Sequence, residues 1–298
     1  MGSYSPVPEP QVLPPDHGFE PAPQPVRKQR PVWVAAPATH LLVGINCAVF
    51  LLMVANRVSA FNPSPEHLMH WGANNAGSVL IQSQWWRIVT AMFVHGGIIH
   101  LAANMWCLWN LGLLAEPLLG ATGVFSAYIL TGAAGNLLST LLNWMSFNSY
   151  WVKYKADWIV HHATGSILDP TQIFPPSVGA SGAVFGIAGA LIVLLGSDRL
   201  PVPPDELRKL RRSVFYFAAI NLLIGLSINF GPLVARTGVI VDNSAHIGGV
   251  LCGLIFAAPL VPRFGSPRSL FLSRLRIAIA MTAGLLVLFG FYIVNVAG

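Results

Sequence analysis

Runs of about twenty apolar residues recur along this chain, separated by short segments where proline, glycine and charge collect. Crossing a bilayer takes about 20 such residues. The pattern predicts seven spans, at 38–57, 92–114, 118–142, 180–197, 213–231, 242–261 and 275–296. The fourth is short. Glu116 and Pro117 interrupt the apolar run between the second and third spans and predict a tight turn there. The expected fold class is all-α, a polytopic membrane helix bundle. Residues 1–35 are rich in proline and have no apolar core, which predicts a disordered cytoplasmic tail and no secretory signal.

Composition sharpens the picture. Of 298 residues, 54% are hydrophobic and only 9% are charged, against about 25% in soluble domains. A soluble domain with one anchor is excluded. The net charge of +6 does not mark a nucleic-acid binder, because the basic residues flank apolar runs instead of forming a stripe. With the N-terminus cytoplasmic, twelve of the 17 fall inside: Arg27, Lys28, Arg30, Arg199, Arg208, Lys209, Arg211, Arg212, Arg263, Arg268, Arg274 and Arg276. Arg57, Arg87, Lys153, Lys155 and Arg236 fall outside. This positive-inside bias and the odd span count place the C-terminus outside. Cys47, Cys107 and Cys252 lie in apolar runs and read as small buried hydrophobes.

Two outer loops are long. The first, 58–91, contains Trp85-Trp86-Arg87, which predicts aromatics at headgroup level with the guanidinium reaching phosphates. The second, 143–179, contains Trp144, Trp151, Trp158, His161 and His162, and its tryptophans predict a segment resting on the membrane surface. The two histidines lack a third ligand at useful spacing, so no metal is expected.

A serine and a histidine stand where hydrocarbon should not tolerate them. Ser181 opens the fourth span within Gly179-Ala180-Ser181-Gly182, and His246 lies near the start of the sixth. An ionisable group at such a site is costly and marks function, with a partner to be named. Both spans run from outside to inside, so the two residues share a depth. Gly182 and Gly186 form a groove on one helix, and Gly249 and Gly253 form one on the other, on the face that carries His246. If these faces pack, the imidazole approaches Ser181, with Phe185 one turn below to support it. A nucleophile and a base so placed suggest a protease working inside the membrane. In the second span His100 and Asn104, four apart, aim donors at one point and suit an oxyanion hole. His95 is expected to hold the loop–helix junction. Asp242 either orients His246 or, as favoured, caps the sixth span. Glu116 is expected to satisfy backbone N–H groups at the start of the third span.

These residues resemble the rhomboid family of intramembrane serine proteases. Gly179-Ala180-Ser181-Gly182 is similar to its GxSG signature, Ala245–Gly253 to AHxxGxxxG, His95, His100 and Asn104 to HxxxxHxxxN, and Trp86-Arg87 to its first-loop WR motif. The likeness covers about residues 38–261. It implies a Ser181–His246 dyad without a carboxylate, an oxyanion hole involving His100 and Asn104, and supporting roles for Gly179, Phe185, His95, Gly249, Gly253, Trp86 and Arg87. It also implies a six-helix catalytic core over 36–262, followed at 263–298 by a cytoplasmic linker and one extra C-terminal transmembrane helix. No cofactor is implied. The implied substrates are single-span membrane proteins in a lipid bilayer. The expected host is a bacterial inner membrane, with an organellar or Golgi-type membrane as the alternative. Two other readings compete: a catalytically inactive rhomboid-like protein that binds transmembrane clients, and a seven-span transporter or receptor. Neither substrate identity nor oligomeric state is legible.

Overall fold

The computed structural model describes the backbone of residues 36–164, 174–197, 200, 203–230, 241–263 and 266–297, and their side chains except 147–164, 226–230 and 262–263. The tail at 1–35, Arg199 and Arg236 lie outside the described residues, as do the side chains of Trp151, Lys153, Lys155, Trp158, His161, His162 and Arg263.

The described residues form helices without strands. They are α1 (Pro37–Ala55), three short helices α2 (Pro65–His70), α3 (Ala76–Leu80) and α4 (Arg87–Thr90), then α5 (Ile98–Thr164), α6 (Ser181–Leu194), α7 (Pro204–Phe230), α8 (Asn243–Ala257) and α9 (Arg268–Ala297). Short 3₁₀ turns follow α4 (Ala91–Phe93) and α8 (Ala258–Arg263). Among the described residues four stretches are long and apolar enough to cross a membrane: Pro37–Ala55, Ile98–Ser146, Asn243–Val261 and Arg268–Ala297. The protein is an integral, multi-pass membrane protein.

α5 crosses twice. Its backbone leaves the helical region at Gly120 (φ 72°, ψ 166°), a conformation that suits a residue without a Cβ. Beyond Gly120 the chain climbs back past its own beginning. Tyr128 Oη donates to Met92 O at 3.1 Å, Asn136 Nδ2 to Ile88 O at 2.8 Å, and Thr140 Oγ1 to Asn74 Oδ1 at 3.2 Å. The turn therefore comes three residues later than Pro117. Glu116 serves a different helix from the expected one. Its carboxylate accepts from Ala38 N–H and Thr39 N–H, both at 2.8 Å, and from Thr39 Oγ1 at 2.7 Å. It thus caps α1, whose free N–H groups would otherwise be orphaned away from water.

At the centre, the second limb of α5 runs antiparallel to α6 and α8. Gly135 meets Ala245, Gly132 meets Ala183, and Gly186 lies against Thr131. α6 and α8 run parallel: Gly249 sits on the carbonyl of Gly182, and Gly253 on that of Gly186. Both partners advance by four residues, so one turn matches one turn. A Cβ at either position would overlap backbone, and backbone cannot yield. α9 covers this layer. Leu275 packs by Gly123, Arg274 Nη1 donates to Pro259 O at 3.4 Å, and Gly290 reaches Trp85.

The loop between α1 and α5 is folded on itself. Arg87 is buried (8% exposed), and its guanidinium donates to Gln84 Oε1 at 2.6 Å, Met69 O at 2.7 Å and Ala73 O at 3.0 Å. It ties α2 and the turn after it to α4. A buried cation has to be hydrogen-bonded, and these oxygens meet that need. Trp86, half exposed, stacks on the guanidinium at 4.5 Å. Trp144 also departs from expectation. The helix runs beyond 142, and the indole is buried, stacked on Phe174 at 5.5 Å.

Candidate active site

Ser181 is the first residue of α6 and His246 is one turn into α8. The glycine-lined contact brings the two backbones close, and His246 Nε2 stands 2.9 Å from Ser181 Oγ. The imidazole lies flat on Phe185, with centroids 4.3 Å apart and planes within 12°. Phe217 of α7 backs Phe185 at 6.0 Å. Among the described residues nothing bonds His246 Nδ1, although His246 is buried.

Asp242 does not touch the imidazole. It is the N-cap of α8, accepting from Ala245 N–H at 3.1 Å. It also accepts hydroxyls from Ser177 (2.6 Å), Ser139 and Ser244.

The segment before Ser181 is fixed by backbone bonds. Ser177 pairs with Asn74 in an antiparallel bridge, with N–H···O distances of 2.8 and 2.9 Å. Gly179 N–H donates to Ala91 O at 2.9 Å. Gly179 itself has φ +117°, where a side chain is strained, and a Cβ there would stand 2.8 Å from His100 Nε2 and 3.8 Å from Asn104 Nδ2. His100 and Asn104 thus flank the Gly179 backbone, two residues from Ser181. Gly96 N–H donates to His100 Nδ1 at 3.3 Å, so neutral His100 carries its proton on Nε2, the atom nearest Gly179. Asn104 Nδ2 gives one hydrogen to His100 O at 3.0 Å and keeps another.

His95 lies in the junction before α5, fully buried, with Nδ1 at 3.3 Å from Phe93 O and its ring edge-on to His100 at 5.3 Å. Burial, reinforced by His100, pushes its pKa down to about 3.

A rhomboid domain is matched over residues 82–263, more than half of the chain and inclusive of every motif described above. The chain belongs to the rhomboid family. Rhomboid protease GluP of Bacillus subtilis (strain 168) is 29% identical over 249 residues, covering 83% of this chain and 39% of that protein. Rhomboid protease AarA of Providencia stuartii is 28% identical over 223 residues, 75% and 72% of the two chains. RHOMBOID-like protein 6, mitochondrial, of Arabidopsis thaliana is 32% identical over 191 residues, 64% and 48% of the two. This rhomboid therefore spans less than half of the first and third of these relatives.

The rhomboid fold gathers Ser181, His246, Phe185, Gly179, His100 and Asn104 at one end of the bundle, with Gly249 and Gly253 below them on α8. Trp86 and Arg87 stand apart, inside the first loop. Three participants were not singled out from sequence: Ser177, Ser139 and Asn74. Of these Ser139 alone leaves a trace, in a polar stripe on α5, Asn136-Ser139-Thr140-Asn143, at helical spacing within an apolar run.

Proposed function

We propose that this chain is an active intramembrane serine protease, hydrolysing peptide bonds in or beside the transmembrane segments of single-span membrane proteins. The observation that carries this reading is the 2.9 Å contact between Ser181 Oγ and His246 Nε2. With His246 neutral and its proton on Nδ1, Nε2 accepts the serine proton as Oγ attacks the scissile carbonyl. The same proton passes to the leaving amine as the C–N bond breaks, and an ester remains on Ser181. A water then gives a proton to Nε2 as its oxygen attacks the ester carbon, and Nε2 returns that proton to Ser181 Oγ as the C–Oγ bond breaks, releasing the acid. Phe185 offers its ring face to the transient imidazolium, in place of a carboxylate. His100 Nε2–H, the free Asn104 N–H and the backbone N–H of Ser181 are donors for the oxyanion, each worth roughly 3 kcal/mol in such a role.

Depth suits this chemistry. α6 has 14 residues and is about 21 Å long, against a hydrocarbon core of about 30 Å. Gly249, level with Gly182, is six residues beyond the start of α8, so the dyad sits about 8 Å below that helix end. A recess of this kind admits water to a site inside the membrane. Below the dyad, a cleft of about 230 Å³ lies between α5 and α7, lined by Trp106, Leu111, Leu114, Leu210, Val214 and Phe217. It offers an apolar side entrance to a substrate helix, which must unwind to present its carbonyl. The positive-inside bias supports a cytoplasmic N-terminus and an outward-facing site. No cofactor takes part.

The test is cleavage of a single-span substrate by purified protein in liposomes, wild type beside Ser181→Ala. The reading requires cleavage and fluorophosphonate labelling in the wild type and neither in the variant. Equal cleavage in both would remove Ser181 as nucleophile. Absence of cleavage and of labelling in the wild type would favour the inactive, client-binding alternative.

A further inference from the structure

Asp242 has both carboxylate oxygens fully occupied. One accepts from Ala245 N–H and Ser244 Oγ–H, and the other from Ser177 Oγ–H and Ser139 Oγ–H. A carboxylate has about four acceptor sites, so none is left for His246 Nδ1, which indeed has no partner among the described residues. The four donors belong to three separate parts of the fold. Ser244 and Ala245 open the helix that carries His246. Ser177 precedes Ser181 by four residues. Ser139 is on the second limb of α5, where it also accepts from Asn143 Nδ2 at 3.2 Å. Glycine packing sets how close α6 and α8 come lower down. At their upper ends, beyond the contact of Gly182 with Ala245, the carboxylate adds a second tie that joins the segment entering α6 to the start of α8.

We propose that Asp242 is a positioning residue: through Ser177 and Ser139 it clamps the segment bearing Ser181 to the helix bearing His246 and so sets the Oγ–Nε2 separation. It acts without touching the imidazole. The proposal rests on the protease reading for its activity readout, and a second readout is independent of proteolysis.

The activity series compares Asp242→Ala, Asp242→Asn and the double variant Ser139→Ala/Ser177→Ala with wild type, on the liposome substrate, across pH. Asparagine keeps one acceptor for Ala245 N–H and offers N–H groups to hydroxyls that rotate to accept. Asp242→Asn is expected to keep kcat within about threefold and the wild-type pH profile. Asp242→Ala is expected to lose about a hundredfold in kcat, the scale of a displacement near 1 Å. The double variant leaves the α8 cap intact, so it folds even where alanine at 242 does not, and it is expected to lose about tenfold. Wild-type kcat in the double variant would overturn the proposal. So would an Asp242→Asn variant as impaired as Asp242→Ala with a displaced pH profile, since the negative charge would then act on His246 itself.

The second readout uses Ser181→Cys, alkylated with iodoacetamide at pH 6.5 and followed at position 181 by mass spectrometry. A thiol paired with imidazole reacts as thiolate. Alkylation is expected to be about tenfold slower when Ser139→Ala/Ser177→Ala is added. Equal rates would overturn the clamp even if the wild type proved to cleave nothing, whereas slowed alkylation without any cleavage would keep the clamp and remove the protease reading.

Discussion

His95 is the residue with the sharpest consequence outside the dyad. It is buried beside a second histidine, Nε2 has no partner among the described residues, and its pKa lies near 3 against an ordinary 6.5. Above pH 6.5 the ring is neutral in both folded and unfolded chains and contributes no pH dependence. Below 6.5 the unfolded chain takes up a proton that the folded one refuses until about pH 3. Stability is therefore present at neutral pH and falls as pH drops through that window. Thermal unfolding in detergent between pH 7 and 4 should show this slope, and His95→Phe should flatten it whatever it does to the melting temperature at pH 7. An unchanged slope in the variant would mean that the ring is reached by water or charge in the native state. Residues whose meaning is chemical were the most legible ones, through their combination: Ser181 and His246 stand at matched depth beside glycine faces, and His100 and Asn104 share one helix face. Asp242 was legible only as a cap, because Ser177 and Ser139 lie 65 and 103 residues away and hydroxyls in helices are common.

At the scale of elements, helix pairing was legible wherever glycines recur at four-residue spacing. Gly249 and Gly253 face Gly182 and Gly186 because a groove on one helix needs a groove on the other. A methyl group at 253 would meet the carbonyl of Gly186 and the amide of Ala190, both backbone. Gly253→Ala should cost about 1–3 kcal/mol, the ordinary penalty of overpacking. It should also reduce kcat, because parting the helices draws the imidazole from Ser181. Gly284→Ala is the control: nothing lies within 4 Å of a Cβ there, and both melting temperature and cleavage should stay at wild-type values. Loss of stability in Gly253→Ala without loss of cleavage would separate helix packing from dyad geometry. What periodicity could not supply was the inside of the first loop. Arg87 reads as an interfacial cation, since nothing local announces that the carbonyls of Met69 and Ala73 will enclose it. The α1 cap was hidden for the same reason, with Glu116 and Thr39 separated by 77 residues.

At the scale of the whole molecule the decisive quantity is parity. Orientation by charge counts only if the number of crossings is right, and the apolar run from 98 to 146 could be taken as one crossing or two. The reversal at Gly120 makes it two, and the bonds from Tyr128 and Asn136 back to Met92 and Ile88 hold the returning limb beside the first. Among the described residues α1, the two limbs of α5, α8 and α9 are long and apolar enough for five crossings; the shorter α6 and the charge-opened α7 would bring the number to the seven expected from the sequence, an odd number. Ser181 and His246 both stand at the starts of their helices, and those two helices are parallel, so the dyad faces one side only. α7 opens with Arg208, Lys209, Arg211 and Arg212 at the opposite end, and α9 opens with Arg268, Arg274 and Arg276. Cations prefer the cytoplasmic side, so the proposed orientation has the dyad and the end of α9 together on the outer side. A reporter that works only outside the cytoplasm, such as alkaline phosphatase, should be active when fused after Gly298 and inactive when fused before Met1. A substrate should correspondingly be cut near its outer membrane boundary, with the larger soluble fragment released outward. The reverse pattern of both reporters would leave the dyad geometry untouched but turn the site towards the cytoplasm, and the basic clusters on α7 and α9 would then lie against the positive-inside rule.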